Sequence, residues 1–174
     1  STIIVFVSDH GFHLGEQQIW GKHSSYEMST HVPLIIFDPS KSNKGVRCNN
    51  FVELIDIYPT LIDLNGLKKN TSLSGNSLSN FFDNDVNKFS GSAFSQYQSF
   101  QKDRSFNNYM AYAIYTEDFN YIEWQDLSKQ RTIVQRELYD VSKNRSEIIN
   151  ISAEPGYSKI QEDLSREIRL NFGF

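Results

Sequence analysis

Asp9 and His10 stand side by side directly after the apolar run Ile3-Ile4-Val5-Phe6-Val7, and Gly11 follows them. A carboxylate oxygen and an imidazole nitrogen both ligate divalent cations, and glycine lets the backbone turn sharply or approach a ligand closely. A cation such as Ca²⁺ takes about 6 to 8 oxygens, so two adjacent ligands supply only part of a site. The same two residues also fit a purely structural part, with Asp9 capping the next segment and His10 packed as a satisfied buried histidine. Lys22, within Trp20-Gly21-Lys22-His23, is a point cation on a flexible stem beside an aromatic. It suits an anionic oxygen, and equally an ordinary solvated surface. All four histidines (His10, His13, His23 and His31) fall in the first 31 residues, and Lys22 is the only Lys or Arg among the first 40. His13 suits a cleft wall or packing, His31 a structural place before a strand, and Glu16 and Glu27 suit helix ends.

These residues need elements to hold them. Residues 3–7 form a continuous β-branched run, the pattern of a strand buried on both faces, and residues 32–37 repeat it. The expectation is that the two runs neighbour each other in a parallel sheet, with the segment from Glu16 to Thr30 crossing between them. In an open α/β sheet, Asp9, His10 and Gly11 would then sit at the carboxyl edge where ligands bind. The spacing of Ile57, Leu61 and Leu64 predicts a short helix capped by Asp56, with Pro59 in the first turn and Gly66 as its left-handed stop. From Lys68 to Phe106 the chain turns polar and reads as a long surface connection. Runs at 109–115 and 119–124, separated by Thr116-Glu117-Asp118, predict a hairpin, with a third strand at 137–141. Ile160, Leu164 and Ile168 predict a closing helix. The expected division is residues 1–90 as the α/β part and 91–174 as a small α+β subdomain.

The chain has 174 residues, 39% of them hydrophobic and 22% charged, which excludes a disordered or coiled-coil chain. Its net charge is −4 and its 17 Lys and Arg are scattered, so no nucleic acid partner is expected. The lone Cys48 forms no internal disulfide. No apolar run approaches the roughly 18 to 20 residues of a membrane span. The chain opens inside a strand, which leads to the expectation that its beginning lies upstream.

Taken jointly, Ile4-Val5-Phe6-Val7-Ser8-Asp9-His10-Gly11, Leu14-Gly15-Glu16, Trp20-Gly21-Lys22-His23-Ser24 and His31-Val32-Pro33-Leu34-Ile35 resemble, in order and spacing, the C-terminal portion of the formylglycine-dependent type I sulfatases. Residues 52–61 resemble the strand-to-helix segment that follows in that family. Arg136-Glu137-Leu138-Tyr139-Asp140-Val141, followed by Glu147 and Asn150, resembles its Glu-Leu-Tyr-Asp-Leu ending. Residues 95–97, 112–114 and 119–124 are most similar to the iduronate-2-sulfatases. The resemblance implies the C-terminal part of an alkaline-phosphatase-like α/β domain, followed by a small antiparallel sheet and a C-terminal helix. It implies hydrolysis of sulfate esters of a sulfated carbohydrate, with Asp9 and His10 as Ca²⁺ ligands. Lys22 is implied as the lysine on the sulfate ester, which places Lys22 and His10 in the catalytic set, and Phe12 and His23 stand at substrate-facing positions. It also implies a secreted, periplasmic or lysosomal setting, with which sequons at Asn70, Asn144 and Asn150 are compatible. The family's Cys/Ser-x-Pro-x-Arg nucleophile motif does not occur: Cys48 is followed by Asn49-Asn50-Phe51, and Phe37-Asp38-Pro39-Ser40-Lys41 has Phe37 at the nucleophile position. The paired aspartates that complete the metal site are also absent. The nucleophile-bearing half is therefore expected upstream, as this chain's partner, and the chain alone is expected to be inactive. A phosphoryl-transfer relative and a non-catalytic sulfatase-like module are the alternatives.

Overall fold

The computed structural model describes residues 2–41, 45–68, 71–82, 91–99 and 108–174. The sequon at Asn70 and parts of the polar 68–106 stretch lie outside the described residues. In chain order the elements are β1 (Ile4–Val7), β2 (His13–Leu14), β3 (Trp20–Gly21), α1 (Glu27–Thr30), β4 (Leu34–Phe37), α2 (Ile57–Leu64), β5 (Ala93–Gln98), β6 (Tyr109–Tyr115), β7 (Phe119–Asp126), β8 (Thr132–Asp140) and α3 (Ser158–Phe172). They divide into two compact units: Ser1–Asp9 with Val32–Gly91, and His10–His31 with Ser92–Phe174. The chain thus changes unit between Asp9 and His10, and residues 10–31 belong with the C-terminal sheet rather than with the strands that flank them.

In the first unit β1 pairs with β4, Ile4 opposite Phe37 and Val7 opposite Leu34. The pairing is antiparallel, which corrects the expected parallel neighbours: a continuous apolar run encodes burial but not strand direction. Ile4, Phe6, Ile35 and Phe37 expose side chains here. Helix α2 is preceded by a tight turn, and the expected Asp56 cap is also corrected. Asp56 is itself helical in φ and ψ and makes no side-chain cap to α2. Its carboxylate instead accepts the N–H of Glu53 at 2.8 Å and of Asn76 at 2.7 Å, fixing the turn and the following loop. Gly66 ends the helix at φ 61, where a Cβ is disfavoured.

The second unit is built on an antiparallel sheet of order β5-β6-β7-β8. Strand β5 lies inside the stretch read as a surface connection; its Ala-Phe-Ser-Gln-Tyr-Gln sequence has too few apolar residues to announce a strand. The hairpin across residues 116–118 forms, with Tyr115 opposite Asn120. Since side chains alternate across a strand, Tyr112, Ile114, Tyr121 and Leu138 share one face, where they pack on Leu164 and Ile168 of α3. Ala111, Ala113, Tyr115, Asn120, Glu137 and Tyr139 are buried on the other, and this is the face that meets residues 10–31.

Candidate functional site

Strands β2 and β3 form a two-residue ladder, His13 opposite Gly21 and Leu14 opposite Trp20. Continuing that register by one residue sets Lys22 opposite Phe12, and His10, two residues before Phe12, falls on the same side. The alternation is visible in the burial: His13 is fully buried, whereas Phe12, Leu14, Trp20 and Lys22 are exposed. On the exposed side the Lys22 Nζ lies 2.8 Å from His10 Nε2. The other ring nitrogen, Nδ1, is 2.8 Å from the Gly11 carbonyl. A carbonyl can only accept, so Nδ1 carries the proton and Nε2 presents a lone pair, to which the Lys22 ammonium donates. A backbone bond at one imidazole nitrogen is the usual means of aiming the other as a ligand or acceptor.

Gly11 ties this pair to helix α1. Its N–H donates to the Ser29 carbonyl at 2.9 Å. A Cβ built on Gly11 would lie 1.9 Å from the Met28 carbonyl oxygen, so only glycine fits. On the buried side the Ser24 hydroxyl donates to Ser29 Oγ at 2.9 Å, and His13 Nε2 is 2.8 Å from Ser24 Oγ. The serine's single proton being used, His13 donates from Nε2.

Segment 24–30 is in turn fastened to the polar face of the sheet. The Tyr115 hydroxyl donates to the Ser25 carbonyl at 2.7 Å. Glu137 accepts three donors: the hydroxyls of Tyr26 at 2.9 Å and Tyr139 at 2.7 Å, and the Trp124 indole N–H at 3.0 Å. Burial pushes the Tyr26 hydroxyl up to about 12, so it stays a donor at neutral pH. Glu147 accepts the N–H of Glu27 at 2.7 Å and the side-chain amide of Asn120 at 2.9 Å. Its burial pushes the carboxyl up to about 7.

Residues 15–171 match the family described as "N-sulphoglucosamine sulphohydrolase, C-terminal". The chain belongs to this sulfatase family. Arylsulfatase K of Danio rerio is 31% identical to it over 172 residues, which cover 97% of this chain and 31% of that protein. N-acetylglucosamine-6-O-sulfatase of Bacteroides thetaiotaomicron is 29% identical over 167 residues, covering 94% of this chain and 29% of that one. A protein solved in complex with its substrate D-glucosamine-2-N,6-O-disulfate superposes with a TM-score of 0.81 at 27% identity, covering 98% of this chain and 34% of that chain. The phosphonate monoester hydrolase of Agrobacterium radiobacter does so with 0.83 at 25% identity, covering 98% and 35%. The chain therefore spans about a third of the length of these relatives, and its fold is the expected C-terminal part of an alkaline-phosphatase-like domain with a small antiparallel subdomain and closing helix. These likenesses support the sulfatase family.

Of the residues singled out in this sulfatase sequence, His10 and Lys22 are brought into contact. Phe12 stands exposed on the same hairpin face. His23 leaves that pair and sets its ring 6.1 Å from Tyr97 of β5. His31 bonds Glu27 at 2.9 Å, a pairing that raises the imidazole above its ordinary value. Asp9 is exposed and closes the first unit beside a depression lined by Phe6, Val7, Ser8, Leu54 and Ile57. Among the described residues no three His, Cys, Asp or Glu side chains come together as a metal site. What residue types and spacing missed is the polar set behind the hairpin: Tyr26, Glu137 and Glu147. Glu137 and Glu147 belong to the sulfatase-like ending, whose spacing marks them without saying that they reach back more than a hundred residues.

Proposed function

We propose that this chain is the C-terminal portion of a sulfatase that hydrolyses sulfate esters of a sulfated carbohydrate, with Lys22 and His10 in its active site. The observation that carries the reading is the Lys22 Nζ held 2.8 Å from His10 Nε2, with the ring's proton on Nδ1 against the Gly11 carbonyl. Asp9 and His10 are assigned as ligands of a Ca²⁺ ion. The donor set fits in kind, a carboxylate and an imidazole with its proton locked on the far nitrogen, and the further ligands come from the upstream part of the enzyme. When bound, such an ion offsets negative charge on the transferring sulfuryl group. Lys22 supplies a second, fixed positive charge at the ester oxygens, the kind of preorganised stabilisation worth about 10²–10³ in rate per donor. Phe12, beside Lys22, and His23 are assigned to the sugar.

The proposed partner is the upstream half, which carries the formylglycine nucleophile that this sequence lacks. The proposed setting is a secreted, periplasmic or lysosomal one. The likeness at residues 95–97, 112–114 and 119–124 extends the proposal to an iduronate-2-sulfatase-like substrate.

The test is hydrolysis of an aryl sulfate by the full-length enzyme. Lys22→Ala and Asp9→Ala are each expected to lower kcat/KM by at least about a hundredfold, and unchanged turnover in both sinks the assignment. The likeness to a phosphonate monoester hydrolase favours a second reading, an enzyme for phosphonate or phosphate esters. Faster turnover of an aryl phosphonate than of the matching sulfate decides for it.

A further inference from the structure

Glu147 is a buried carboxylate that the proposed chemistry does not use. Its backbone is in the left-handed region at φ 50, uncommon for a residue with a Cβ. The exposed Ile148 and Ile149 follow it, while Glu147 itself is only 3% exposed. It faces two other carboxyl groups, Glu27 and Glu137, which together with burial oppose its ionisation. The Arg145 guanidinium lies 3.6 Å from the Glu27 carboxylate. A strained backbone and a crowd of like charges are costs that need a structural return.

The return is visible in what Glu147 holds. Tyr26, at the N-cap of α1, makes no side-chain cap, so the first N–H of this one-turn helix depends on the Glu147 oxygen 2.7 Å away. From there the bonds run without a break to the proposed site. The α1 carbonyl of Ser29 accepts the Gly11 N–H, the Gly11 carbonyl accepts the His10 Nδ1–H, and Nε2 of the same ring faces Lys22 Nζ at 2.8 Å. The bare Cα of Gly11 against the Met28 carbonyl leaves no slack at the middle step.

We propose that Glu147 is a positioning residue: by holding the first turn of α1 it sets where Gly11 stands, and so how the His10 ring is aimed. The proposal rests on the assigned role of His10 for its catalytic half only.

Two measurements test it. In the 174-residue chain, Glu147→Leu removes both acceptors while keeping bulk. Amide exchange at Glu27 and at Gly11 is expected to rise about tenfold or more, while Ile114 and Tyr121 in the sheet core stay within about twofold of wild type. Glu147→Gln is expected to restore slow exchange, because its oxygen can serve Glu27 while its NH₂ meets a flipped Asn120 amide. Faster exchange at Glu27 alone, or an equal rise at all four amides, overturns the proposal. Should the Leu variant not fold, Asn120→Ala is read in the same way: faster exchange at Gly11 with Ile114 unchanged supports the proposal, and unchanged Gly11 overturns it. In the full-length enzyme, Glu147→Leu is expected to lower kcat/KM about tenfold in the wild-type background and less than about twofold in the His10→Ala background, since residues acting through one another are not additive. Equal losses in both backgrounds overturn it. If neither Lys22→Ala nor Asp9→Ala changes turnover, the proposed function fails, and the exchange comparison still decides whether Glu147 positions the loop.

Discussion

Glu137 and Leu138 are consecutive in β8 and nearly equally buried, yet they serve opposite faces of one sheet by opposite physics. Leu138 packs with Tyr112, Ile114 and Tyr121 against Leu164 and Ile168 of α3. Such contact is non-directional and sums many weak terms, so it fixes that α3 is covered but tolerates small shifts in its placement. Glu137 gathers three hydrogen-bond donors at 2.7 to 3.0 Å, one of them on Tyr26 of the segment that carries Lys22. Directional bonds specify position to a few tenths of an ångström, and a buried acceptor lost leaves its donors stranded. One face stabilises the unit, and the other aligns the hairpin.

The contrast is broken most severely by Glu137→Ala. Three donors lose their partner inside the protein, at roughly 1–3 kcal/mol each, for an expected loss of about 5 kcal/mol. Leu138→Ala on the far face leaves a cavity and is expected to cost about 4 kcal/mol. Urea unfolding gives both totals, and amide exchange tells the faces apart. Glu137→Ala should release Ser29 and Gly11 before the core opens, whereas Leu138→Ala should speed exchange evenly and leave the order of opening unchanged. If the two variants gave the same pattern, the division of labour between the faces would be wrong.

Much of the apolar face could be read from sequence, because its signals are local. The aromatic and β-branched runs at 109–115 and 119–124, the three-residue turn between them, and the four-residue spacing of Ile160, Leu164 and Ile168 each report an element from its own residues. The direction of β1 against β4 could not be read, since hydrophobicity is the same either way. Nor could β5, whose Ser and Gln positions hide its pairing with β6. At the site, Asp9, His10 and Lys22 stood out by residue type, and the resemblance gave them roles, but the contact between His10 and Lys22 depends on a two-residue ladder too short to predict. The polar face was hidden for a stronger reason. The bonds from Tyr26 to Glu137 and from Glu27 to Glu147 join residues 111 and 120 positions apart, and no periodicity reaches that far.

The face of Glu137 also carries a pH dependence, through Glu147, whose carboxylate accepts the side-chain amide of Asn120 on that face. Burial raises Glu147 from its ordinary 4.5 to about 7. A carboxyl with a raised value is favoured protonated in the folded state, so its contribution is complete below pH 4.5 and is lost as pH rises through 7. At about 1.4 kcal/mol per unit this amounts to about 3 kcal/mol. Glu147→Gln should remove that slope from urea-unfolding free energies, whereas Leu138→Ala should lower the whole curve without changing its shape.

His31, at the C-cap of the same short helix, supplies the smallest effect and the check on this assignment. Its bond to the Glu27 carboxylate raises the imidazole above 6.5, with Arg145 opposing. A histidine with a raised value stabilises while protonated, so its contribution is present below pH 6.5 and is lost as pH rises through the folded value. That is the same direction as Glu147, in a window displaced toward higher pH. The side chain is 70% exposed, so solvent screens the pair and a few tenths of a kcal/mol are expected. His31→Ala should therefore flatten only the upper end of the curve and leave the fall between pH 4.5 and 7 intact. If it abolished that lower fall as well, the titration would belong to the Glu27–His31 pair, and Glu147 would have no part in the pH response of α1.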